Sequence, residues 1–224
     1  MSVTTELNLI LLGAPGAGKG TQAPLLCNDL GLEAVSTGHL LREHQKAGSA
    51  LGRLAGAYLR SGRLVPDDVV IAMVRDRIGR VPSAGRVFDG FPRTVPQAEA
   101  LDQALAARER RLTGALFLDI PDAIVIERLA GRRQCAHGHV YHSVANPPLR
   151  DGVCDVDGEP LLQRPDDAEA TVRERLRIYR ESTEPLLDHY VARGQLRRVD
   201  GTAAPSVVHR ALIAAVDALV SVNA

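Results

Sequence analysis

The strongest constraint on this chain is a short apolar run followed directly by a glycine-rich turn. The run spans Leu7 to Leu12, and Gly13 to Thr21 then read GAPGAGKGT. Glycine permits left-handed backbone angles and a close approach of the backbone to a ligand, so successive N–H groups converge on an anion. The segment from Lys19 to Leu30 is predicted to be a helix whose positive N-terminal end faces the same anion. The sequence therefore predicts a phosphate-binding loop after a buried parallel strand.

The loop departs in one place from the pattern G-x-x-x-x-G-K-[ST]. Gly20 stands between the lysine and the hydroxyl of Thr21. A flexible Gly-Ala loop without a ligand is the alternative interpretation. Against it, Lys19 is one of only two lysines among 27 basic residues. A lysine where arginine is the rule favours a narrow position that needs a compact positive charge.

Strand-like and helical patterns alternate along the chain, which predicts an α/β fold with a doubly wound, five-stranded parallel sheet. Such sheets bind ligands at the carboxyl ends of their strands, where Gly13, Ser36, Asp89 and Asp119 fall. The predicted strands are Leu7 to Leu12, Ala34 to Val35, Arg86 to Phe88, Ala115 to Ile120 and Leu196 to Val199.

Two stretches interrupt the alternation. Residues 36–65 read as a helical insertion, whereas residues 131–167 are rich in turn residues and read as a small antiparallel insertion, a lid. The core domain is then 1–35, 66–130 and 168–224. A last helix is expected from Ala204 to Val222. A long helix is expected from Asp167 to Arg193, with Val172, Leu176, Leu186, Leu187 and Val191 facing the core.

Composition favours a soluble globular protein without a nucleic-acid or membrane partner. The 224 residues are 45% hydrophobic, and 27 acidic residues balance 27 basic ones, so no overall field attracts polyanions. No apolar stretch reaches the roughly 20 residues that span a bilayer, and the N-terminus lacks secretory features. We expect a cytoplasmic protein, and one compact domain favours a monomer.

Several arginines are expected to face the predicted cleft. Arg128 and Arg132 lie four residues apart and share a helix face, and Arg93 follows a strand end. Arg164 ends the lid and Arg175 begins the next helix. Each alone reads as a solvated surface residue. Together they would repel one another unless anions such as two phosphate chains lay between them.

The order of motifs resembles the adenylate kinases over nearly the whole chain. The matching motifs are GAPGAGKGTQ, STGHLLR, GRLVPDDVV, DGFPRTVPQA, GRR, VYH, NPP and an RP-DD-TVRERL stretch, and the lid resembles the long bacterial form. The resemblance implies reversible, Mg²⁺-dependent transfer of the γ-phosphoryl group from ATP to AMP, giving two ADP. AMP already carries an anionic nucleophile, so positioning and charge neutralisation suffice without a general base.

By this resemblance the site residues divide between two nucleotides and a metal ion. The catalytic set is Lys19, Arg93, Arg128, Arg132, Arg164 and Arg175. Asp89 is expected to order the waters of Mg²⁺. The ATP site comprises Gly16, Ala17, Gly18, Lys19, Gly20, Thr21, Arg128, Arg132, Val140, Tyr141 and Ala203. The AMP site comprises Thr37, Arg42, Arg63, Leu64, Val65, Gly90, Phe91, Pro92, Arg93, Gln97, Arg164 and Arg175, with Gln97 reading the adenine edge.

The lid also resembles the zinc-bearing members of the family. Cys135 and Cys154 begin two knuckle-like turns, of which the first is one residue shorter than the usual C-x-x-C-G. Thiolate, imidazole and carboxylate all suit a tetrahedral structural zinc. The expected ligands are Cys135, His137, Cys154 and Asp157. His139 is the alternative nitrogen ligand, and a hydrogen-bonded lid without metal is the other possibility.

At three positions in the expected nucleotide sites the residue differs from the family pattern. Alternative functions also stay open. The departures are His39 for an aspartate, Ala145 for an aromatic residue and Ala203 for a lysine. A kinase acting on UMP or CMP, or a GTP-using relative, would keep the chemistry and change the substrate. A non-catalytic NTP-binding module with a zinc knuckle is a further alternative, although few aromatic residues (3%) disfavour base stacking.

Overall fold

The fold is an α/β architecture built on a parallel sheet, as expected. The computed structural model describes residues 6–80 and 85–223. The strands are β1 (Leu7–Leu12), β2 (Glu33–Ser36), β3 (Gly85–Asp89), β4 (Gly114–Asp119), β5 (Arg132–Gln134), β6 (Val140–His142) and β7 (Leu196–Asp200).

The sheet has five parallel strands in the order β2-β3-β1-β4-β7, while β5 and β6 pair antiparallel in the lid. The chain leaves β1 towards the β2 edge and leaves β3 towards the β4 edge. Ligands bind where neighbouring strands part in this way, outside their carboxyl ends. The topology therefore puts the glycine-rich turn after β1 beside the segment that follows β3.

Helices flank the sheet and its insertions. They are α1 (Lys19–Leu30), α2 (Thr37–Lys46), α3 (Ala50–Ser61), α4 (Asp67–Arg80), α5 (Val95–Ala106), α6 (Asp122–Gly131), α7 (Glu169–Ile178), α8 (Pro185–Val191) and α9 (Pro205–Asn223). Over residues 6–80 and 85–223, none of them has the length and apolar character of a membrane span.

Alternating apolar residues fill both faces of the sheet. In β1, Ile10 and Leu12 belong to the apolar cluster on one face, whereas Leu9 and Leu11 belong to the cluster on the other. Successive strand side chains point to opposite faces, so an uninterrupted apolar run is the pattern of a strand covered on both sides. The Leu7 to Leu12 prediction is confirmed on this ground.

The predicted helix from Asp167 to Arg193 is interrupted. A 3-10 turn (Pro165–Asp167) precedes α7, and a π-helical turn (Tyr179–Thr183) separates α7 from α8. The N–H of Glu184 donates to the carbonyl of Tyr179 at 2.9 Å, just before Pro185, which has no N–H to give. Val172, Leu176, Leu186 and Leu187 are buried as expected, but Val191 is 55% exposed, so its assignment to the core was wrong.

Candidate active site

A cleft of about 1300 Å³ opens at the carboxyl ends of the parallel strands. The phosphate loop, the segment after β3, helix α2 and the lid all contribute to its walls. Every arginine of the predicted catalytic set lines it, together with Lys19: Arg93, Arg128, Arg132, Arg164 and Arg175. Basic groups from five distant parts of the chain therefore face a single cavity.

The glycine-rich turn has the geometry of an anion cradle. Gly13 has φ +145°, and a Cβ there would lie 2.8 Å from the carbonyl oxygen of Leu118, so only glycine lets the turn lie against β4. Gly18 has φ +100° and caps α1, which begins at Lys19. The first N–H groups of a helix have no partner within it, so this end of α1 offers donors and positive potential to an anion.

Lys19 lies folded over the loop within the cleft. Its Nζ donates to the carbonyl oxygens of Gly13 at 2.6 Å and Ala14 at 2.9 Å. Burial lowers the pKa of Lys19 to about 8; Asp89 opposes this shift, and nearby arginines add to it. A buried ammonium short of negative partners is strongly stabilised by an incoming phosphate.

Two adjacent carboxylates hold three of the arginines in place. Asp167 is fully buried and accepts from Arg132 Nε at 2.8 Å and Arg132 Nη2 at 2.5 Å. Asp166 accepts from Arg164 Nε at 2.9 Å and Nη2 at 2.6 Å. Arg175 contacts both carboxylates, at 3.1 Å and 3.3 Å. The aspartates keep the guanidinium groups clustered where they would otherwise repel one another.

The charges in this network perturb one another. Although burial favours the protonated acid, Arg164 and Arg175 hold the pKa of Asp166 below its usual range. Burial lowers the pKa of Arg175 to about 10, with Asp166 opposing and Arg164 reinforcing the shift. Burial also lowers the pKa of Arg42, which lines the same cleft, to about 10. The positive groups exceed their carboxylate partners, so the cleft favours a polyanion.

Arg128 is held separately, at the base of the lid. Its Nη2 donates to the carbonyl oxygens of Gly201 at 2.9 Å and Thr202 at 3.2 Å. Those residues follow β7, and Ala203 beside them lines the cleft. This guanidinium therefore sits over the end of the cleft that the phosphate loop borders.

The wall opposite the phosphate loop contains part of the predicted acceptor site. Arg42, Leu64, Gly90, Pro92 and Arg93 line the cleft. Burial lowers the pKa of Arg93, and Asp89 opposes the shift. Four further predicted residues are buried behind this wall: Thr37 (2% exposed), Val65, Phe91 and Gln97 (2% exposed). Arg63 is exposed at the surface beyond the lining residues.

Asp89 ends β3 beside the phosphate loop. Its Oδ2 accepts a hydrogen bond from Ser36 Oγ at 3.3 Å, and its charge acts directly on Lys19 and Arg93. The carboxylate lines the cleft. A carboxylate among phosphate-binding cations is the usual way to hold hydrated Mg²⁺ near a triphosphate.

Both lid cysteines meet a histidine and a carboxylate. One ligand atom from each of Cys135, His139, Cys154 and Asp157 lies within 4.8 Å of the others. His139 Nδ1 lies 3.3 Å from the sulfur of Cys135 and 3.4 Å from that of Cys154. Ligand atoms around a tetrahedral zinc stand at such separations, given bonds of roughly 2.0–2.3 Å.

The histidine of this cluster differs from the expected one. The structure brings in His139, the alternative, in place of His137. The ring of His137 lies 2.9 Å from the carboxylate of Asp157, and its side chain is 63% exposed. The reason is the tight turn from Cys135 to Gly138, which directs His137 outwards. His139 follows the turn, and its carbonyl accepts from the N–H of Cys135 at 3.2 Å, so it lies beside that cysteine.

Tyr141 joins the cluster to the cleft. Its hydroxyl accepts from the N–H of Asp155 at 2.8 Å and lies 3.7 Å from the sulfur of Cys154. Its ring packs in a small apolar cluster with Cys135, Cys154 and Leu161. Tyr141 lines the cleft, as do Val140, His39 and Ala145. Its hydroxyl is engaged with the lid, so only the ring is available to a nucleotide base.

Sequence reasoning missed the two carboxylates that organise the arginines. Asp166 and Asp167 were noted only as part of a motif. The available signal was two consecutive acids that closely follow Arg164 and precede Arg175 by eight and nine residues. Buried arginines require such partners, because an unpaired buried charge is costly.

The chain matches known sequences over most of its length. A family model described as adenylate kinase matches residues 11–195. The adenylate kinase of Acidothermus cellulolyticus is 50% identical over 196 residues, which cover 87% of this chain and 90% of the relative. The adenylate kinase of Moorella thermoacetica is 47% identical over 205 residues, covering 90% and 94%. That of Methanothrix thermoacetophila is 42% identical over 196 residues, covering 87% and 91%.

Proposed function

We infer the roles of the site residues from the premise that this chain belongs to the adenylate kinase family. It is a nucleoside monophosphate kinase that phosphorylates AMP with ATP, and ATP, AMP and ADP are its substrates and products. Which residues serve each nucleotide is our proposal.

One observation carries the proposal: Lys19 and five arginines face one cleft at the carboxyl ends of the strands. Transfer between two phosphate chains concentrates negative charge at the moving phosphoryl group and the oxygens around it. Fixed cations in a partly desolvated cleft stabilise that charge more strongly than water does. The monophosphate of AMP attacks directly, so the residues have to align two phosphate chains and need not remove a proton.

On the donor side, we assign ATP to the phosphate loop and the lid. The N–H groups at the start of α1 and the ammonium of Lys19 bind the phosphates, and Arg128 and Arg132 cover them. When Arg132 binds phosphate, it gives up part of its contact with Asp167. The proposed donor residues are Gly16, Ala17, Gly18, Lys19, Gly20, Thr21, Arg128, Arg132, Val140, Tyr141 and Ala203.

On the acceptor side, we assign AMP to the wall that Arg42 and Arg93 line. Arg93 follows β3 and lies between the two nucleotide positions. Arg164 and Arg175, which both pair with Asp166, face the acceptor from the far side. The residues buried behind the wall shape it; Thr37, for example, donates to the carbonyl of Gly90 at 2.9 Å. The proposed acceptor residues are Thr37, Arg42, Arg63, Leu64, Val65, Gly90, Phe91, Pro92, Arg93, Gln97, Arg164 and Arg175.

We propose that Asp89 holds Mg²⁺ through water. The carboxylate is accessible in the cleft and next to Lys19, which fits a hard, hydrated cation between protein and triphosphate. The ion supplies charge neutralisation to the phosphates when bound.

We also propose a structural Zn²⁺ held by Cys135, His139, Cys154 and Asp157. Two thiols, an imidazole and a carboxylate make a donor set that zinc prefers, and their atoms already converge. Hydrogen bonding from Cys154 is the main cause that holds the pKa of Asp157 far below its usual range, so this ligand is anionic at neutral pH. Cys135 and His139 flank the turn that joins the two lid strands, so the ion would stabilise the lid without taking part in transfer.

The domain division, assembly and location are proposals too. We propose a core of residues 1–35, 66–130 and 168–224, a helical insertion of residues 36–65 and a lid of residues 131–167; residues 1–5, 81–84 and 224 lie outside the described residues. A cytoplasmic monomer without a nucleic-acid partner agrees with the three free thiols and the balanced charge.

A monophosphate panel tests the assignment of substrates. ATP with AMP, UMP, CMP or GMP, and GTP with AMP, are compared by following nucleoside diphosphate formation. We expect AMP with ATP to give the highest kcat/KM. Equal turnover of UMP or CMP would overturn the acceptor assignment.

Metal analysis of the same sample tests the lid site. We expect about one zinc per chain, lost in Cys154→Ala and in His139→Ala but retained in His137→Ala. Metal retained in His139→Ala and lost in His137→Ala would overturn the ligand set.

A further inference from the structure

A hydrogen-bonded carboxylate lies next to the acceptor wall and has no role in the assignments above. Asp67 is the first residue of α4. Its Oδ1 accepts from Gln97 Nε2 at 2.7 Å, and its Oδ2 accepts from Thr94 Oγ1 at 2.7 Å. Gln97 and Thr94 belong to the start of α5, so Asp67 joins two helices directly behind the cleft.

The amide of Gln97 has a defined orientation because its two ends meet different partners. Its Oε1 accepts from the backbone N–H of Arg93 at 2.8 Å, while its Nε2 donates to Asp67. A backbone N–H only donates and a carboxylate only accepts. If the amide turned over, donor would face donor and oxygen would face oxygen, and both hydrogen bonds would be lost.

The carboxylate itself is also held in place. The hydroxyl of Thr94 accepts from the N–H of Gln97 at 3.3 Å as the cap of α5, so its own proton points to Asp67. Both carboxylate oxygens of Asp67 therefore act as acceptors, one towards Thr94 and one towards Gln97.

We propose that Asp67 is a positioning residue that sets the base selectivity of the acceptor site by fixing the Gln97 amide. The inference rests on the proposed function, in which Gln97 meets the base of the monophosphate. With one N–H and one oxygen lone pair already used, the amide offers one further donor and one further acceptor.

The fixed order of donor and acceptor distinguishes six-substituted purines. Adenine presents an acceptor at N1 and a donor at the 6-amino group, which match an amide N–H and an amide oxygen. Hypoxanthine presents a donor at N1 and an acceptor at O6, which match the amide only after it turns over. The two bases have nearly the same size, so discrimination between AMP and IMP reports on the amide orientation and on little else.

The test compares kcat/KM for AMP and for IMP, with saturating ATP, in the wild-type chain and in variants. Asp67→Asn replaces an obligate acceptor by a group that either donates or accepts, so turning the Gln97 amide over then costs only the hydrogen bond from the Arg93 N–H instead of both. We expect the AMP to IMP ratio to fall by about tenfold or more, with IMP activity rising in absolute terms. Asp68→Asn, the exposed neighbour on α4, is the matched control and keeps the wild-type ratio.

Thermal unfolding of each variant shows whether a change in selectivity comes from the position of the Gln97 amide or from loss of the folded state. If Asp67→Asn fails to fold, Asp67→Ser serves instead, because serine is favourable at a helix start and also lacks a fixed acceptor. A variant that lowers kcat/KM equally for AMP and IMP would show a merely structural role and overturn the inference.

Two further outcomes concern the premise. A wild-type chain that phosphorylates neither nucleotide would contradict the proposed function itself. Wild-type preference for AMP that persists unchanged in Gln97→Leu would show that Gln97 does not read the base, and it would overturn the inference while leaving the function intact.

Discussion

The central sheet and the lid differ in how much apolar side chain each buries. Every residue of β1 from Asn8 to Leu12 is buried, and apolar clusters cover both faces of the sheet. In the lid, the buried apolar cluster consists of Cys135, Tyr141, Cys154 and Leu161. Val144 and Leu149 in the same segment are 82% and 95% exposed.

This difference shows that the two regions are stabilised by different chemistry. At about 25 cal/mol per Å² of apolar surface, the sheet gains most of its stability from burial. A segment as small as the lid gains little in that way and depends on polar cross-links or a metal ion. The phosphate loop thus follows a strand of the well-packed sheet, and the lid that lines the same cleft has little apolar packing of its own.

The largest expected effect comes from the phosphate loop, which follows the sheet strand β1. Lys19→Met should lower kcat about a thousandfold, because one fixed cation at the transferred phosphate is lost. The melting temperature should stay within a few degrees, since the ammonium contributes a buried charge and no apolar packing. Steady-state kinetics and thermal unfolding measure both quantities. Lys46→Met, at the only other lysine, is the control, and a similar loss of kcat there would contradict the assignment.

A matched pair of leucines tests the contrast in stability directly. Leu116 in β4 is fully buried and Leu161 in the lid is 7% exposed. Leu116→Ala should lower the free energy of unfolding by about 2–5 kcal/mol, because it leaves a cavity in the packed core. Leu161→Ala should change global unfolding by less than about 1 kcal/mol, because the lid opens locally first.

Denaturant unfolding with native-state hydrogen exchange distinguishes the two leucine variants. Leu161→Ala should accelerate exchange in the lid alone. Equal global destabilisation by both variants would show that lid and core unfold as one unit.

The pH dependence of ATP binding is the next smaller effect. Lys19, with its pKa lowered by burial to about 8, is charged below pH 8 and loses its proton above it. The kcat/KM for ATP should therefore fall about tenfold per pH unit above pH 8, while Arg175 and Arg42, with pKa values near 10, stay charged to pH 9. The profile of Lys19→Met should lack this limb, and a wild-type profile that is flat to pH 10 would contradict the perturbed lysine.

Lys19 also makes the stability of the fold depend on pH, but with the opposite sign to its effect on kcat/KM. The folded-state pKa lies below the ordinary lysine value of 10.5, so the unfolded chain binds more protons between about pH 8 and 10.5. In that window this one group makes the free energy of unfolding rise with pH. Comparing wild type with Lys19→Met across the window isolates its contribution.

The smallest effect is expected where the helical insertion of residues 36–65 touches the lid. Lys46 Nζ, at the end of α2, donates to the carbonyl of Ala136 in the lid at 2.5 Å. This hydrogen bond is exposed, so Lys46→Met should change kcat or KM for either nucleotide by about threefold at most. Arg53→Met, which removes a similar exposed bond to Gly48 within the insertion, is the control. A tenfold change in Lys46→Met alone would mean that this contact controls closure.

Local patterns predicted most of the fold because the relevant forces act over a few residues. The apolar run of β1, the glycines of the following turn and the helix from Lys19 to Leu30 lie where the sequence indicated. The interruption before Pro185 was missed, because the apolar periodicity continues through it and only the missing N–H marks it. Val191 was misassigned since it continues the periodicity at the very end of α8.

The sequence by itself determined the parallel sheet, the phosphate loop and the identity of the basic residues, because chain direction, glycine content and residue charge are local properties. Only the tertiary structure decided which partners those residues meet. It placed Asp166 and Asp167 against the arginines, chose His139 over His137 beside the thiols, and set Asp67 against Gln97. Such pairings depend on angstrom-scale distances between segments far apart in the chain, which spacing along the sequence does not specify.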